Sequence, residues 1–532
     1  MEDKQDAVAG RNNVFKMLML FLGLIFVLAI IFFLFVYFVY GSYMNGLKTK
    51  LDAKLKVLRE AGYPVTLSEL DSWYTAVKDE DNAVLVYQRG FDSFIEIGKC
   101  DFAGKVPELA GKKAEDGAWE PMKNIPIAGT CRTPVPPDML SERERKMSAI
   151  YLETNKESLQ FFKMAAKMEK CRFKIDLKEG YMIFLPHLSR LRNGVRLLAL
   201  ESLLASEKGD LETCLEDIEY IFGIARSLDR EPVLISFLVR NACNAIAINA
   251  VENLLSRVEL DEAQLQRIMN AIQNTENPYG LNRALAGENV FFIDMDWSKF
   301  WASEVLSGEG SSAGTSALIK FQKISGISMK SKIIWMEFIT PAMEDSKKPF
   351  PKALKDTAVN DNAFYERAGK ERSSLSPYDK LAFIPVGMMM PGLSTAISKK
   401  AQILAMHRAA MTALAIERYR LKNRALPESL DMLVPEFLPV LPQDPFTGGN
   451  FQYKKGGYDY FLQKDAEYPG MEKKNIVLHK VKSFGEKADS YEKEACFLRR
   501  NGYMIYSLGG NLTDEGGFPD NSTGDIPFRI AR

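Results

Sequence analysis

Residues 17–40 read MLMLFLGLIFVLAIIFFLFVYFVY, an unbroken apolar run without a charged side chain. As a helix this run is about 36 Å long, enough to cross a hydrocarbon core of about 30 Å with slight tilt. Tyr37 and Tyr40 sit near one end, where amphipathic rings favour the membrane interface. The run exceeds the roughly 7–15 apolar residues of a cleavable signal peptide. Gly41-Ser42-Tyr43 is also a poor cleavage site. The pattern predicts one membrane-spanning helix, and no second apolar run of comparable strength follows.

After this segment the spacing of apolar positions is mostly helical. Thr66-Leu67-Ser68-Glu69 has the form of a capping box and opens a short helix carrying Leu67, Leu70 and Trp73. A further helix is expected over Asn82–Phe94. Between Lys99 and Asp138, Gly and Pro are dense and no period persists, so an irregular segment is expected. Glu142–Lys170 reads as one helix and Ser189–Ser206 as the next, with Leu191, Val195, Leu198, Leu203 and Leu204 on one face. Gly209 fits a C-terminal cap and Asp210 the N-cap of a helix over Leu211–Leu228. Pro232 fits the first turn of a helix reaching about Val258, and Asp261–Ile272 follows. Short connections imply antiparallel neighbours in an irregular bundle or solenoid. Gly308–Gly314 reads as a loop without phosphate-binding spacing, and Glu344–Ser376 as a charged, exposed stretch.

The last quarter changes character. A long helix is expected over 397–424, then a short one over Leu430–Val434. Strands are expected at Phe451–Tyr453, Tyr458–Leu462, Ile476–Val481 and Tyr503–Leu508. The expected fold is therefore mainly α. A tail (1–16) and a transmembrane helix (17–40) lead into a helical and irregular region (45–138), a helical body (139–395) and a small α+β module (396–532).

Composition narrows the chemistry. The 532 residues are enough for about two to four domains. Lys plus Arg equals Asp plus Glu at 69 each, which gives no electrostatic case for nucleic acid as a partner. The six cysteines, Cys100, Cys131, Cys171, Cys214, Cys243 and Cys496, lack C-x-x-C spacing. Cys100 and Cys131 fall in the Gly/Pro-rich segment, either as a loop-tying disulfide or as two thiols. His187, His407 and His479 are the three histidines, and H-E-x-x-H, G-x-S-x-G, Walker A and dinucleotide-binding spacings are absent. His187, at the start of a helical run, reads as a packing or capping residue. His407, among Met and Ala, reads as a core-edge residue, and Glu212 and Glu216 as a solvated face.

Leu441-Pro442-Gln443-Asp444-Pro445, Tyr506-Ser507-Leu508-Gly509 and Gly524-Asp525-Ile526, set behind a long helix, resemble the soluble domain of the major pseudopilin of type II secretion. The resemblance covers about 135 residues. It implies a small antiparallel sheet and a calcium-binding loop, to which Asn511, Asp514, Asp520 and Asp525 would supply hard oxygen ligands. A solvated, turn-rich tail is the alternative. The chain departs from that family in lacking a prepilin signature and in an apparent insertion at Gln463–Ala495. Phrases such as Pro186-His187-Leu188-Ser189, Glu231-Pro232-Val233-Leu234 and Glu69-Leu70-Asp71-Ser72-Trp73-Tyr74 resemble uncharacterised membrane-anchored proteins of planctomycete-type bacteria, a likeness that carries no activity with it.

Topology has two opposed indicators. Lys48, Lys50, Lys54, Lys56 and Arg59 outnumber Lys4, Arg11 and Lys16, which favours a cytoplasmic body. The pseudopilin resemblance implies an extracytoplasmic one, and that placement, with the anchor in the inner membrane, is the expectation. The leading functional expectation is an envelope-anchored interaction or scaffold protein contacting the lipid bilayer and other envelope proteins. A secretion or pilus-type assembly accessory and an envelope-polymer hydrolase are the alternatives. A deep polar pocket with convergent ionisable groups would count against this leading expectation.

Overall fold

A computed structural model describes residues 2–102, 125–131, 133–297, 325–369, 376–462, 476–484, 490–517 and 524–532. The Gly308–Gly314 loop and Asp520 lie outside the described residues. The chain divides into two compact units. One comprises 1–63, 296–337 and 371–387, and the other 64–295, 338–370 and 388–532. As expected, the fold is mainly helical, and among the described residues the strands lie in the C-terminal part.

In the first unit, helix α1 (Glu2–Glu60) carries the apolar run. Its segment from Met19 has a mean hydropathy of 3.2 over the most apolar window, none of it buried, so it is long and apolar enough to cross a membrane. Two other helices pass the same test of length and composition, Leu234–Arg257 and Tyr378–Asn423. Their value is 1.5, with 61% and 44% of the window buried. Helix α1 does not stop at the end of the apolar run. It continues to Glu60, burying Leu47 and Leu58, and Gly62 (φ 83°) then turns the chain. In the same unit the rings of Tyr43 and Tyr378 meet edge to face, centroids 6.1 Å apart.

The second unit holds α2 (Leu67–Trp73), α3 (Val84–Asp92), α4 (Glu142–Thr154), α5 (Lys156–Ala166), α6 (Pro186–Lys208), α7 (Leu211–Arg226), α8 (Leu234–Arg257), α9 (Glu262–Gln273) and α10 (Gly280–Asp294). Several sequence signals work locally as their chemistry dictates. Thr66 Oγ1 accepts from Glu69 N at 3.2 Å, while the Glu69 carboxylate accepts from Val65 N at 2.8 Å, one residue before the cap. Gly209 is left-handed (φ 74°) after α6, and Asp210 accepts from Thr213 N at 3.2 Å to start α7.

The expected single helix over Glu142–Lys170 is two helices. Asn155 breaks it, its backbone leaving helical geometry (φ −100°, ψ 16°). The Asn155 amide accepts from Ile95 N at 2.8 Å and donates to Ile95 O at 3.1 Å. A buried side chain that satisfies a distant backbone competes with the helix's own bonds. The thiols of Cys100 and Cys131 do not join. Cys100 Sγ lies 3.3 Å from Thr154 Oγ1 and Cys131 Sγ 3.0 Å from Glu144 Oε1.

Helices α11 (Ile327–Asp345) and α12 (Lys352–Gly369) follow, and then α13 (Pro377–Asn423). Glu344–Ser376, expected to be a charged exposed stretch, is in part helical and buries Ala353, Thr357 and Phe364 along α12. Helix α13 begins twenty residues before the expected start at 397 and passes through Pro385, Pro391 and Gly392. These breakers lower local preference without ending a helix whose next turns bury Leu393, Ala396 and Ile397.

Strands β1 (Gln452–Lys455), β5 (Gly502–Ser507) and β6 (Ile526–Ala531) form one antiparallel sheet with β5 central. Strands β2 (Tyr458–Leu462), β4 (Ser490–Arg500) and β3 (Ile476–Phe484) form a second, with β4 central. All of β5 is buried. Its Tyr503 hydroxyl donates to Glu417 Oε1 on α13 at 2.8 Å, and Ser256 on α8 donates to Arg529 O and accepts from Ala531 N of β6. Strands β4 and β6 were not expected. The first falls largely in the stretch read as an insertion, and the second in the segment read as a terminal Asp-Ile motif.

Candidate functional site

Five segments of the second unit surround a cleft of about 700 Å³. On α8, Phe237, Arg240 and Asn241 share a face, being three and four residues apart. On α13, Lys400, Ile403, Leu404, His407 and Arg408 form a stripe at spacings of three, four, seven and eight. The α9–α10 connection adds Thr275–Pro278, the turn after α11 adds Lys347–Phe350, and Val440–Gln443 closes the rim.

Five cations and one carboxylate, Glu276, line this space. Their partners differ. Lys347 pairs with Glu344 at 2.8 Å, and Lys348 with Asp345 at 2.7 Å and Asp356 at 2.6 Å. Arg240 donates to Asp229 and to Thr275 O. Lys400 instead donates to two carbonyls, Pro278 O at 2.9 Å and Ser346 O at 2.8 Å, and Arg408 to Gln443 O at 2.7 Å. Burial, with Arg240 nearby, pushes the Lys400 ammonium down to about 8. Burial likewise lowers the Arg408 guanidinium, against the pull of Glu276 and Asp444.

Two neutral polar groups are deeply set. Asn241 is 7% exposed, and neither end of its amide has a hydrogen-bond partner. His407 is 5% exposed and its Nε2 also lacks one. Its ring stands edge to face against Phe222 at 6.3 Å. Burial, then Arg240, drops His407 to about 3, so the imidazole is neutral at physiological pH. Buried polar atoms without partners are costly, and the two residues that carry them are part of the cleft lining.

His407 was expected at a core edge, and it is buried beside the cleft. His187 is a packing residue as expected, its Nε2 2.9 Å from Glu231 Oε1 and its ring stacked on Phe173 at 4.2 Å. Glu212 accepts from Arg267 at 2.8 Å. The side chain of His479, on β3, lies outside the described residues. The cleft residues Arg240, Asn241, Lys400 and Arg408 were not singled out in the sequence. Charged and amide side chains set among apolar neighbours on α8 and α13 are the signal that could have found them.

The tail residues expected to bind calcium sit differently. Asn511 Oδ1 accepts from Thr513 N and its amide donates to Glu515. Asp514 Oδ1 accepts from the Tyr506 hydroxyl at 3.0 Å and from Gly516 N at 2.8 Å. Asp525, 1% exposed, accepts from Gly517 N at 2.7 Å through Oδ2. Its Oδ1 and Glu515 Oε2 are buried without hydrogen-bond partners. Burial, with Glu515 and Asp514 adding their charge, pushes Asp525 up to about 7, although the Gly517 N–H pulls it down. Lys454 and Arg529, from β1 and β6, donate to Gly516 O and Gly517 O, so cations from outside the loop reach its backbone. Among the described residues, no group of three or more His, Cys, Asp or Glu side chains is placed to hold a metal ion.

No protein-family model, no curated protein and no solved structure matches this chain.

Proposed function

We propose that this protein is a membrane-tethered receptor of the cell envelope that holds a small ligand in the cleft between α8 and α13. The cleft carries the reading. At about 700 Å³ it has the size of a small-molecule site, and apolar walls with a few convergent polar groups are the usual composition of such sites. Such a cleft counts against the interaction or scaffold role expected from the sequence, and ligand binding takes its place. Among the described residues Glu276 is the sole carboxylate lining the cleft, and these do not supply there the paired carboxylates of a glycosidase-type hydrolase. The anchor is α1, in the inner membrane, and the body is extracytoplasmic. That side rests on the pseudopilin-like tail and runs against the lysine count. Protease added to intact spheroplasts should therefore degrade the body, and cleavage restricted to residues before 17 would reverse the topology.

The receptor reading is tested with the full chain in nanodiscs. Low-molecular-weight fractions of envelope extract are added and melting is followed. At least one fraction should raise the melting temperature of the wild type but not of Leu404→Trp, which fills the cleft. No response to any fraction, or an equal response in the variant, overturns the reading.

Calcium in the tail is a second reading, favoured by the buried carboxyl oxygens of Asp525 and Glu515, which face each other without a donor from another residue. A hard cation would relieve their mutual repulsion. An accessory role in a secretion or pilus-type assembly rests on the same tail, and absence of any pilin-like protein on purification from native membranes would remove it.

A further inference from the structure

We infer that the cleft is built for an amphiphilic organic anion, with its acidic head on Lys400 and an apolar body along α8 and α13. The inference rests on the receptor reading above and adds the chemical class of the ligand.

The argument begins with unequal pairing among the cations. Lys347 and Lys348 have carboxylates of their own, and Arg240 has Asp229. They gain little from a ligand. Lys400 has three N–H donors and spends two on the carbonyls of Pro278 and Ser346. Carbonyls orient an ammonium without cancelling its charge. The third donor and the net charge are left for something else. Arg408 differs, since one of its N–H groups reaches Gln443 O and the charges of Glu276 and Asp444 already bear on it. It also stands eight residues from Lys400, about 12 Å along the axis, too far for the same small head.

Half-buried, beside Arg240 and with only carbonyls as hydrogen-bond partners, the Lys400 ammonium is under electrostatic tension, which its lowered titration near 8 reflects. A bound anion removes it. The charged groups that bear on Lys400 and Arg408 are Arg240 from α8, Glu276 and Asp444 from the connecting loops, and Lys347 and Lys348 from the turn after α11.

The neutral groups supply the second contact. Asn241 offers two donors and an acceptor, and His407 Nε2 can donate or accept by tautomer. Both are more than nine-tenths buried and without partners at these atoms. They match the remaining oxygens of a carboxylate or a phosphate monoester. Phe237, Phe350, Ile403, Leu404 and Leu441 form the apolar part of the lining, so a bare inorganic ion would leave most of the space unfilled. Carboxylate and phosphate heads share this chemistry, and experiment separates them.

The test uses the full chain in nanodiscs and four water-soluble probes: 4-phenylbutyrate, phenyl phosphate, 4-phenylbutanol and inorganic phosphate. Affinity is read by calorimetry. At least one of the two amphiphilic anions should bind, ten-fold or more tighter than the alcohol and than inorganic phosphate. The tighter of the two assigns the head as carboxylate or phosphate. Binding should weaken ten-fold or more in Lys400→Met and in Asn241→Ala. In the unsubstituted protein it should weaken as pH rises beyond about 8, where Lys400 loses its proton. The wild-type pH series keeps the test decisive if a variant fails to fold. Equal binding of 4-phenylbutanol, or affinity flat from pH 7 to 10, overturns the inference. If no probe binds while an envelope fraction still stabilises the wild type alone, the ligand class fails and the receptor reading stands. If neither binds, both fail.

Discussion

The Ser507 hydroxyl donates to Asp444 Oδ1 at 2.8 Å, joining two sequence motifs 63 residues apart. Asp444, 1% exposed, also accepts from Phe446 N at 2.9 Å and from Leu508 N at 3.3 Å. The Leu-Pro-Gln-Asp-Pro turn and the Tyr-Ser-Leu-Gly strand end are thus parts of one buried hydrogen-bond centre. Asp444→Ala would strand two backbone donors and a hydroxyl, and the expected cost is about 3–5 kcal/mol. Asp444→Asn retains an acceptor and should lose about half as much. Urea unfolding of the two variants measures this, and equal losses would show that the acceptors are not what matters.

Gly287 on α10 faces the chain just before α8. A Cβ there would stand 1.8 Å from Pro232 O, a backbone atom that cannot rotate away. Gly287→Ala should therefore destabilise by about 3 kcal/mol or more through overpacking. Gly392, helical and with nothing within 4 Å of its would-be Cβ, is the control. Alanine there should gain about 0.5–1 kcal/mol from helix propensity. Melting temperatures of the two variants should move in opposite directions.

Glu288 is 7% exposed and accepts from Leu234 N at 3.1 Å. Burial pushes its carboxyl up to about 7, against the pull of that N–H. The unfolded chain releases this proton near 4.5, before the folded one does. Its contribution is then complete below about 4.5 and is lost as pH rises to about 7. The loss is on the order of 3 kcal/mol at most. Glu288→Gln keeps the acceptor and removes the titration. Relative to wild type, the variant should gain stability between pH 5 and pH 8, and a difference independent of pH would show that Glu288 is ionised in the fold throughout.

The tail gives a fourth outcome to check. If calcium replaces the proton near Asp525, the full chain should melt higher with calcium than with chelator. The difference should vanish in Asp514→Ala with Asp525→Asn. Equal melting of the wild type under both conditions removes calcium from the account.

Sequence alone determined what depends on neighbours within a few residues. The uncharged run of 17–40 requires an apolar environment whatever follows it. The caps at Thr66, Gly209 and Asp210 and the apolar spacing of α6 act over three or four residues, so their elements were legible. Asp444 and Ser507 were legible as motifs, but their bond was not. Tertiary structure decided the rest. Asn155 splits a helix because Ile95, sixty residues away, offers backbone groups to its amide. Strand β6 exists because β5 pairs with it, and an edge strand has little preference of its own apart from a partner. The cleft draws on segments near residues 240, 276, 348, 404 and 441. No local pattern links these five, because burial and charge compensation arise only when distant side chains share one space.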